Sequence, residues 1–491
     1  MTNLTKKITK DEFKILLFYP PKHDTNKYGK YIFEPTSVGY SFAVMGAFLK
    51  KHGFTNIKIY ELFGYESKEI EKILVKEKPN LVGISALTEG RKAVFDLVEL
   101  VKRVDEDIKV ILGGPHATHL GKQIIENYEM VDFCVIGEGE ITFLELIEAI
   151  YEGKKDYSQI KGLMYKQKGN FIQTERRPFI ENLDSLPLPD YGLYANIHTY
   201  DQYVKNGLEF IIVSSRGCPF KCRFCSSTAF WGNKWRYRSS EEVIKEIEYV
   251  YYNFNAKNID FVDDAFTVRR ERIQEICNEI IKRKLKFTWK CTTRADCLDF
   301  ELMKLMKQAG CTGISIGVES ASKIIQKEIN KQLNLEKVED VTRFGKKLKI
   351  RIAYLLMVGN INESKETIKE TIEFVKRNKP DDVGSAILMI FPDTEVYNFL
   401  KSKNLIDDSY WLTEFPAPFC DYDLTYWELR KAIDQINSHN NYFNFNPVMS
   451  FIRTVIERFL GLRISMQNKR ITPYFNCHPI TIRNWKTYLK K

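Results

Sequence analysis

Short apolar runs alternate with amphipathic stretches along most of this chain, and no other feature constrains its fold as much. Apolar runs at 14–19, 57–60, 81–85, 108–112 and 133–136 are each followed by a helical pattern, at 40–52, 68–76, 91–104, 119–128 and 140–151. Strands separated by single helices cannot pair as hairpins, so they form a parallel sheet with helices packed on it. Five such units predict a doubly wound α/β domain over residues 12–152. Folds of this kind take ligands beyond the carboxyl ends of their strands. Small and polar residues collect there: Ser85 and Thr88, then Gly113-Gly114-Pro115-His116-Ala117-Thr118, then Gly137-Glu138-Gly139-Glu140.

A second alternation runs from residue 208 to 400, with strands at 210–214, 259–262, 288–292, 313–317, 351–358 and 383–389. Ser239-Ser240-Glu241-Glu242 reads as the N-cap and acidic first turn of a helix over 240–254. Between the two repeats, residues 153–207 read as a connector. In it, 163–165 and 171–173 flank a Lys168-Gly169-Asn170 turn, and L-D-S-L-P-L-P-D-Y forms an extended, proline-punctuated stretch.

The first strand of the second repeat runs into R-G-C-P-F-K-C-R-F-C, which sets Cys218, Cys222 and Cys225 in a C-x3-C-x2-C array. Three thiolates can hold three irons of a cubane and leave the fourth open, whereas an electron-transfer cluster normally takes four cysteines. Zinc would need a fourth ligand nearby; the nearest histidine is His198 and the next cysteine is Cys277. Arg216, Lys221 and Arg223 favour the thiolate form. The other cysteines show no C-x-x-C spacing. Cys291, Cys297 and Cys311 suit buried strand positions, while Cys420 and Cys477 are the two that would face a substrate if any does.

On this array, including Phe224 before its last cysteine, the segment resembles the radical S-adenosylmethionine (radical SAM) superfamily. That resemblance implies a 4Fe-4S cluster, S-adenosyl-L-methionine as cofactor, and a partial (β/α)6 barrel over 208–400. The upstream G-G-P-H-A-T and G-E-G-E strings resemble the cobalamin-binding domain that precedes many of these enzymes. The resemblance thus implies a Rossmann-like cobalamin-binding domain with Ser85, Thr88, Gly113, Gly114, Thr118, Gly137, Glu138 and Gly139 at the cofactor. The D-x-H-x-x-G string that supplies a lower axial histidine is missing; His23 lies in K-H-D-T-N-K-Y-G, in the wrong order. In the barrel the resemblance puts Asp263-Asp264, Arg294, Glu319-Ser320 and Arg351 around S-adenosylmethionine, and Met357-Val358-Gly359 along its adenine. Helix capping is an equal reading for one of the Asp263-Asp264 pair and the alternative for Glu319-Ser320, and structural ion pairs for the arginines. Relatives usually carry a glycine where Asp393 stands in Phe391-Pro392-Asp393-Thr394.

Residues 401–491 break the alternation and read as a mainly helical region. Trp411, Phe415, Phe419, Tyr422, Tyr426, Trp427, Tyr442, Phe443 and Phe445 supply core or a wall for an apolar substrate. Residues 449–466 place Ile452, Val455, Ile456, Phe459 and Leu462 at helical spacing beside Arg453, Arg458 and Arg463. Such a basic amphipathic helix packs on the barrel or meets a membrane surface. The formal charge of +10 is concentrated toward this end. No run approaches the roughly 18 apolar residues of a membrane span, and M-T-N-L-T-K-K-I lacks a signal-peptide core. A cytoplasmic enzyme is expected, acting on a small, apolar or lipid-like molecule, with an electron donor such as flavodoxin or ferredoxin and no nucleic acid.

The function implied is reductive cleavage of S-adenosylmethionine to a 5′-deoxyadenosyl radical, with methylation of an unactivated carbon. The alternatives are a cyclase, ring-rearranging or oxidising enzyme with the same cofactors, and a non-enzymatic cobalamin or iron–sulfur sensor. Methylthiolation would need a second cysteine triad upstream, where Cys134 stands alone.

Overall fold

The computed structural model describes residues 8–21, 39–195, 209–413 and 424–438, and the backbone of 462–465 and 470–473. The chain divides into two compact units, Met1–Leu208 and Glu209–Lys491.

In the first unit β1 (Ile15–Tyr19), α1 (Ser41–Lys51), β2 (Ile57–Glu61), α2 (Ser67–Glu77), β3 (Leu81–Ser85), α3 (Arg91–Val104), β4 (Lys109–Gly113), α4 (Pro115–Asn127), β5 (Phe133–Val135) and α5 (Glu140–Tyr151) alternate as expected. The strand order β2-β1-β3-β4-β5, all parallel, reverses direction at β1. A doubly wound sheet places its ligand crevice at such a reversal. The strands are buried on both faces, with Ile15, Leu17, Val82, Val110 and Leu112 at 0% exposure, which is why they read as apolar runs rather than as alternation.

The connector departs from expectation. β6 (Leu163–Gln167) and β7 (Asn170–Gln173) are antiparallel strands that extend this same sheet through β5. The proline-punctuated stretch then folds back on β2: Tyr194 bridges to Ile59, the Ala195 N–H donates to the Ile59 carbonyl (3.0 Å), and the Tyr194 hydroxyl donates to the Gly39 carbonyl (2.6 Å). Buried Tyr191 and Leu193 anchor it, so residues 163–195 belong to the first unit.

The second unit holds β8 (Glu209–Ile212), β9 (Ser215–Arg216), α6 (Ser226–Trp231), β10 (Arg236–Tyr237), α7 (Ser240–Phe254), β11 (Asn258–Phe261), α8 (Arg270–Lys282) and β12 (Thr288–Thr293). After these come α9 (Phe300–Gln308), β13 (Cys311–Glu319), α10 (Lys323–Glu328), α11 (Leu335–Leu348), β14 (Arg351–Val358), α12 (Lys365–Asn378), β15 (Asp382–Ile387) and α13 (Glu395–Ser402). Six parallel strands lie in the order β8-β11-β12-β13-β14-β15, and β9 and β10 form a separate two-stranded ladder. Strands that follow one another in space as in sequence never reverse, so each right-handed crossover lands its helices on the same face. That is the topology of an incomplete β/α barrel, with all carboxyl ends on one rim. Ser239 caps α7 by accepting from the Glu242 N–H (3.3 Å), as its sequence predicts.

α14 (Tyr426–Asn437) packs on β15, where the Ser385 hydroxyl donates to Asn437 Oδ1 (2.8 Å). Trp411 is core: it is buried and donates through Nε1 to the Tyr397 hydroxyl (2.9 Å). The aromatic side chains from Phe415 to Phe445, and His23, Cys420, Cys477 and residues 449–461, lie outside the described residues. Residues 462–465, expected to end a helix, form β16 (Leu462–Ser465), paired antiparallel with β17 (Arg470–Pro473). Among the described residues no helix is long and apolar enough to cross a membrane.

Candidate active site

The cysteine loop leaves β8 and is fastened before its first cysteine. Asp263, at the end of β11, accepts from the hydroxyls of Ser214 (2.8 Å) and Ser215 (2.7 Å) and from the Ser215 N–H. Arg272 donates to the carbonyls of Ser214 (2.9 Å) and Arg238 (2.8 Å). Gly217 then turns the chain with a φ of 84°, and a Cβ there would run into the carbonyl of Lys234. Only glycine meets both demands, a left-handed φ and a close backbone approach.

Cys218 and Cys225 are half-buried and Cys222 is buried; all three are free thiols within electrostatic reach of one another. Cys225 also opens α6. Burial pushes the Cys218 thiol up to about 11 and raises that of Cys222, while Lys331 and the Arg294 guanidinium pull Cys222 back toward the thiolate. Three cysteines within eight residues supply one sulfur to each of three irons, a donor set that fits a cubane cluster with one iron left open.

Glu319 and Lys331 stand beside Cys222. The register of β13 against β14 slips between Gly317 and Glu319, a bulge that re-aims the strand end, and Glu319 adopts a left-handed φ of 63°. Its carboxylate accepts from Lys331 Nζ at 3.0 Å, and both side chains are largely buried. The pair lies directly over Gly317, where a Cβ would come within 2.7 Å of Glu319 Oε1 and 2.9 Å of Lys331 Nζ. Nothing in I-N-K-Q-L flags Lys331 as a site residue. Tertiary bonds bring it here: the Arg223 N–H donates to the Ile329 carbonyl (3.0 Å), and Asn330 Nδ2 to the Lys221 carbonyl (2.8 Å).

Arg294 lies at the site, with its guanidinium 3.9 Å over the Phe220 ring of the cysteine loop. Its nitrogens are engaged by Asp296 (3.0 and 2.6 Å) and the Lys331 carbonyl (3.0 Å), so it braces the loop and lends it charge rather than offering a free fork. Asp264 faces Cys218 and accepts from the Ser227 hydroxyl (2.6 Å); burial raises its carboxyl. Three residues expected around S-adenosylmethionine are placed elsewhere. Asp263 is spent on Ser214 and Ser215, as above. Ser320 is buried, with its hydroxyl on Thr371 (3.2 Å) and on the Ser322 N–H (3.2 Å). Arg351 begins β14, at the opposite end from the cysteines, where it is exposed and paired with Asp382 (2.6 Å). Asp393 takes a φ of 58°, the conformation for which glycine is the usual choice.

Behind Met357-Val358-Gly359, Glu363 is 2% exposed and accepts from the Asn360 N–H (3.1 Å) and Nδ2 (2.9 Å). Burial raises its carboxyl from 4.5 to about 7. Between those values the folded state binds more protons than the unfolded chain, so this group's contribution is fully present below pH 4.5 and is lost as the pH rises through 7. The upper bound is about 3 kcal/mol. Glu363→Gln is expected to flatten stability between pH 5 and pH 7, measured by denaturant melts across about that range.

On the first unit, Ser85 ends β3 in register with Gly113 at the end of β4. Thr118 Oγ1 accepts from the Gly137 N–H (3.0 Å), and Thr88 Oγ1 lies 3.3 Å from His116 Nδ1. A Cβ added at Gly113 or Gly137 would meet nothing within 4 Å, so among the described residues no side chain covers the backbone at these two positions. Gly139, by contrast, lies under Met45. Glu138 departs from the expected cofactor contact: it is buried and accepts from the Ile180 N–H (2.7 Å), stapling the returning stretch instead of facing the edge.

Residues 212–375 match the radical SAM superfamily and residues 39–147 the B12 binding domain. An uncharacterised methyltransferase of Pyrococcus horikoshii is 31% identical over 401 residues, which span 81% of this chain and 85% of that protein. An anaerobic magnesium-protoporphyrin IX monomethyl ester cyclase of Rubrivivax gelatinosus is 29% identical over 74% of this chain and 66% of its own length. Among solved structures, the radical S-adenosylmethionine methyltransferase TsrM of Kitasatospora setae, with cobalamin and a [4Fe-4S] cluster bound, superposes with a TM-score of 0.66. It is 18% identical, over 79% of this chain and 78% of that one, and so attests the fold.

Proposed function

Because the chain belongs to the family of cobalamin-binding radical S-adenosylmethionine enzymes, we propose that it methylates an unactivated carbon of a small molecule. The observation that carries this reading is the triad Cys218, Cys222 and Cys225 with the Glu319–Lys331 pair beside it. When bound, the cluster and cobalamin supply the electron that cleaves S-adenosylmethionine and the carrier of the methyl group, chemistry no side chain offers. The chain's own residues hold and orient. The three thiolates take three irons. Lys331 presents an ammonium for the carboxylate of S-adenosylmethionine, and Glu319 a carboxylate for its amino or hydroxyl groups. Arg294 keeps the cysteine loop in place through Phe220 and sets positive charge near Cys222. On the first unit, Ser85, Thr88, Gly113, Gly114, Thr118 and Gly137 form the cobalamin edge.

A one-electron donor of the flavodoxin or ferredoxin type serves the cluster, and the enzyme works in the cytoplasm. Methyl transfer is favoured over cyclisation by the relative with the highest identity quoted above, which is named a methyltransferase; the cyclase likeness keeps the second outcome in view. The test is anaerobic reconstitution with iron, sulfide and hydroxocobalamin, then turnover with S-adenosylmethionine carrying a deuterated methyl group. We expect bound cobalt beside about four irons, 5′-deoxyadenosine, and a product heavier by the labelled methyl. Products altered without label would establish the cyclase or oxidase outcome. Absence of any cleavage would leave a sensor.

A further inference from the structure

In a β/α repeat each helix runs back against its strand. The carboxyl ends of α8, α11 and α12 therefore lie where β12, β14 and β15 begin, at the end opposite the cysteines. Exposed lysines collect there. Lys347 and Lys376 stand in the last turns of α11 and α12, where the helix dipole favours a cation. The dipole does not account for Lys284, Lys286, Lys349 and Lys379, which lie beyond the helix ends. Lys284, Lys349 and Lys379 also hold left-handed φ values of 55°, 55° and 50°, so the charge is kept against a backbone preference. Two bonds join these ends into one face: Lys307 Nζ donates to the Lys349 carbonyl (2.8 Å), and Lys346 Nζ to the Asn378 carbonyl (2.7 Å). Among the described residues none of the six exposed lysines has a carboxylate partner. The arginines beside them do: Arg283 pairs with Glu248 (2.9 Å) and Glu279 (3.0 Å), Arg351 with Asp382 (2.6 Å) and Arg377 with Glu339 (2.7 Å). At the edge of the same face, the carboxyl ends of α7 and α8 present Tyr252 (68% exposed) and Ile281 (40%) to solvent.

We propose that this lysine face, at the strands' amino end of the second unit, lies against an anionic membrane surface. An ammonium is a compact point charge and suits the diffuse negative potential of a bilayer. Gripping individual phosphates of a nucleic acid calls for the forked guanidinium, and the arginines here are occupied. An exposed tyrosine and isoleucine beside the basic face match the bilayer interface, where amphipathic rings sit at headgroup level. β12 is six residues long and β14 eight, so at ~3.3 Å per residue the face is roughly 20 Å from the cysteine rim. The contact therefore locates the enzyme without touching the cluster or S-adenosylmethionine, and it stands whether or not the reaction is methyl transfer.

The experiment is co-sedimentation of the reconstituted protein with vesicles of phosphatidylcholine alone, and of phosphatidylcholine with phosphatidylglycerol, across a salt series. Binding to the anionic vesicles only is expected, weakening as salt shortens the screening length. Each lysine at such a surface strengthens binding about fivefold, so Lys349→Glu with Lys379→Glu is expected to weaken it at least about 25-fold. Both residues are exposed, so iron content and melting temperature are expected to stay at wild-type values. A second pair, Lys284→Gln with Lys286→Gln, keeps the test valid if the first disturbs the fold. Tyr252→Ser is expected to lower the part of the binding that resists salt. Equal binding to both kinds of vesicle overturns the proposal, as does unchanged binding by both lysine pairs. Loss of binding only when Arg453, Arg458 and Arg463 are reversed to glutamate overturns it in favour of the C-terminal segment. Tighter binding to duplex DNA than to the anionic vesicles at the same salt overturns it in favour of a nucleic acid.

Discussion

Cys222→Ala protein is expected to fold and melt close to wild type but to lose most of its iron and its ability to cleave S-adenosylmethionine. The cost to the fold is small because the substitution removes one sulfur from a buried site, about 1 kcal/mol. The cost to chemistry is large. A cubane held by two thiolates is labile, and the rate is expected to fall by at least about three orders of magnitude, roughly 4 kcal/mol of transition-state stabilisation. Iron and sulfide content, and 5′-deoxyadenosine release under dithionite, are the measurements. Cys311→Ala is the control. That thiol is at 0% exposure at the start of β13, away from the carboxyl rim. Its loss should lower the melting temperature while leaving iron content unchanged. Iron loss in the control, or full iron in Cys222→Ala, would refute the assignment of the triad.

Gly217→Ala should reach the same loss of iron by a different route. The substitution sets an alanine at a φ of 84° and drives its Cβ against the carbonyl of Lys234. The left-handed conformation alone costs about 1–2 kcal/mol, and relieving the clash means parting the Ser215–Arg216 ladder from Arg236–Tyr237. A destabilisation of about 2–4 kcal/mol is expected for the second unit. Both variants therefore lose iron, but only Gly217→Ala loses stability before iron is added. Denaturant melts of the cluster-free proteins separate the two cases. Equal melts would mean that the loop rearranges freely and that its backbone does not preorganise the thiols.

These two substitutions also mark where reading the chain succeeds and where it stops. The cysteine spacing, the strand–helix alternation and the Ser239 cap are local patterns. Each is set by residues within a few positions of one another, and the fold keeps them where they were expected. The direction of a side chain at a strand end is different. Asp263 and Asp264 are adjacent, yet one is consumed by Ser214 and Ser215 while the other faces Cys218. Arg351 sits in a strand whose existence was legible, but at its amino end, beyond reach of the cysteines. Glu138 has a sequence that suits a ligand loop, and its carboxylate is claimed by Ile180, forty-two positions away.

Lys331 shows the converse. Its neighbours in sequence carry no motif, and it becomes a site residue because Asn330 and Ile329 bond to the cysteine loop more than a hundred positions upstream. The hairpin at 163–173 likewise read as a connector until its pairing with β5 made it part of the sheet. Most elements, their order and the type of chemistry are legible in the chain, since periodicity, turn residues and ligand spacing are short-range properties; residues 462–465, which carry a helical spacing and yet pair as a strand, are the exception. Tertiary structure alone decided which polar groups are free to meet a ligand. A buried carboxylate or ammonium takes whichever partner the fold brings within hydrogen-bonding distance, and that partner is usually distant in the chain.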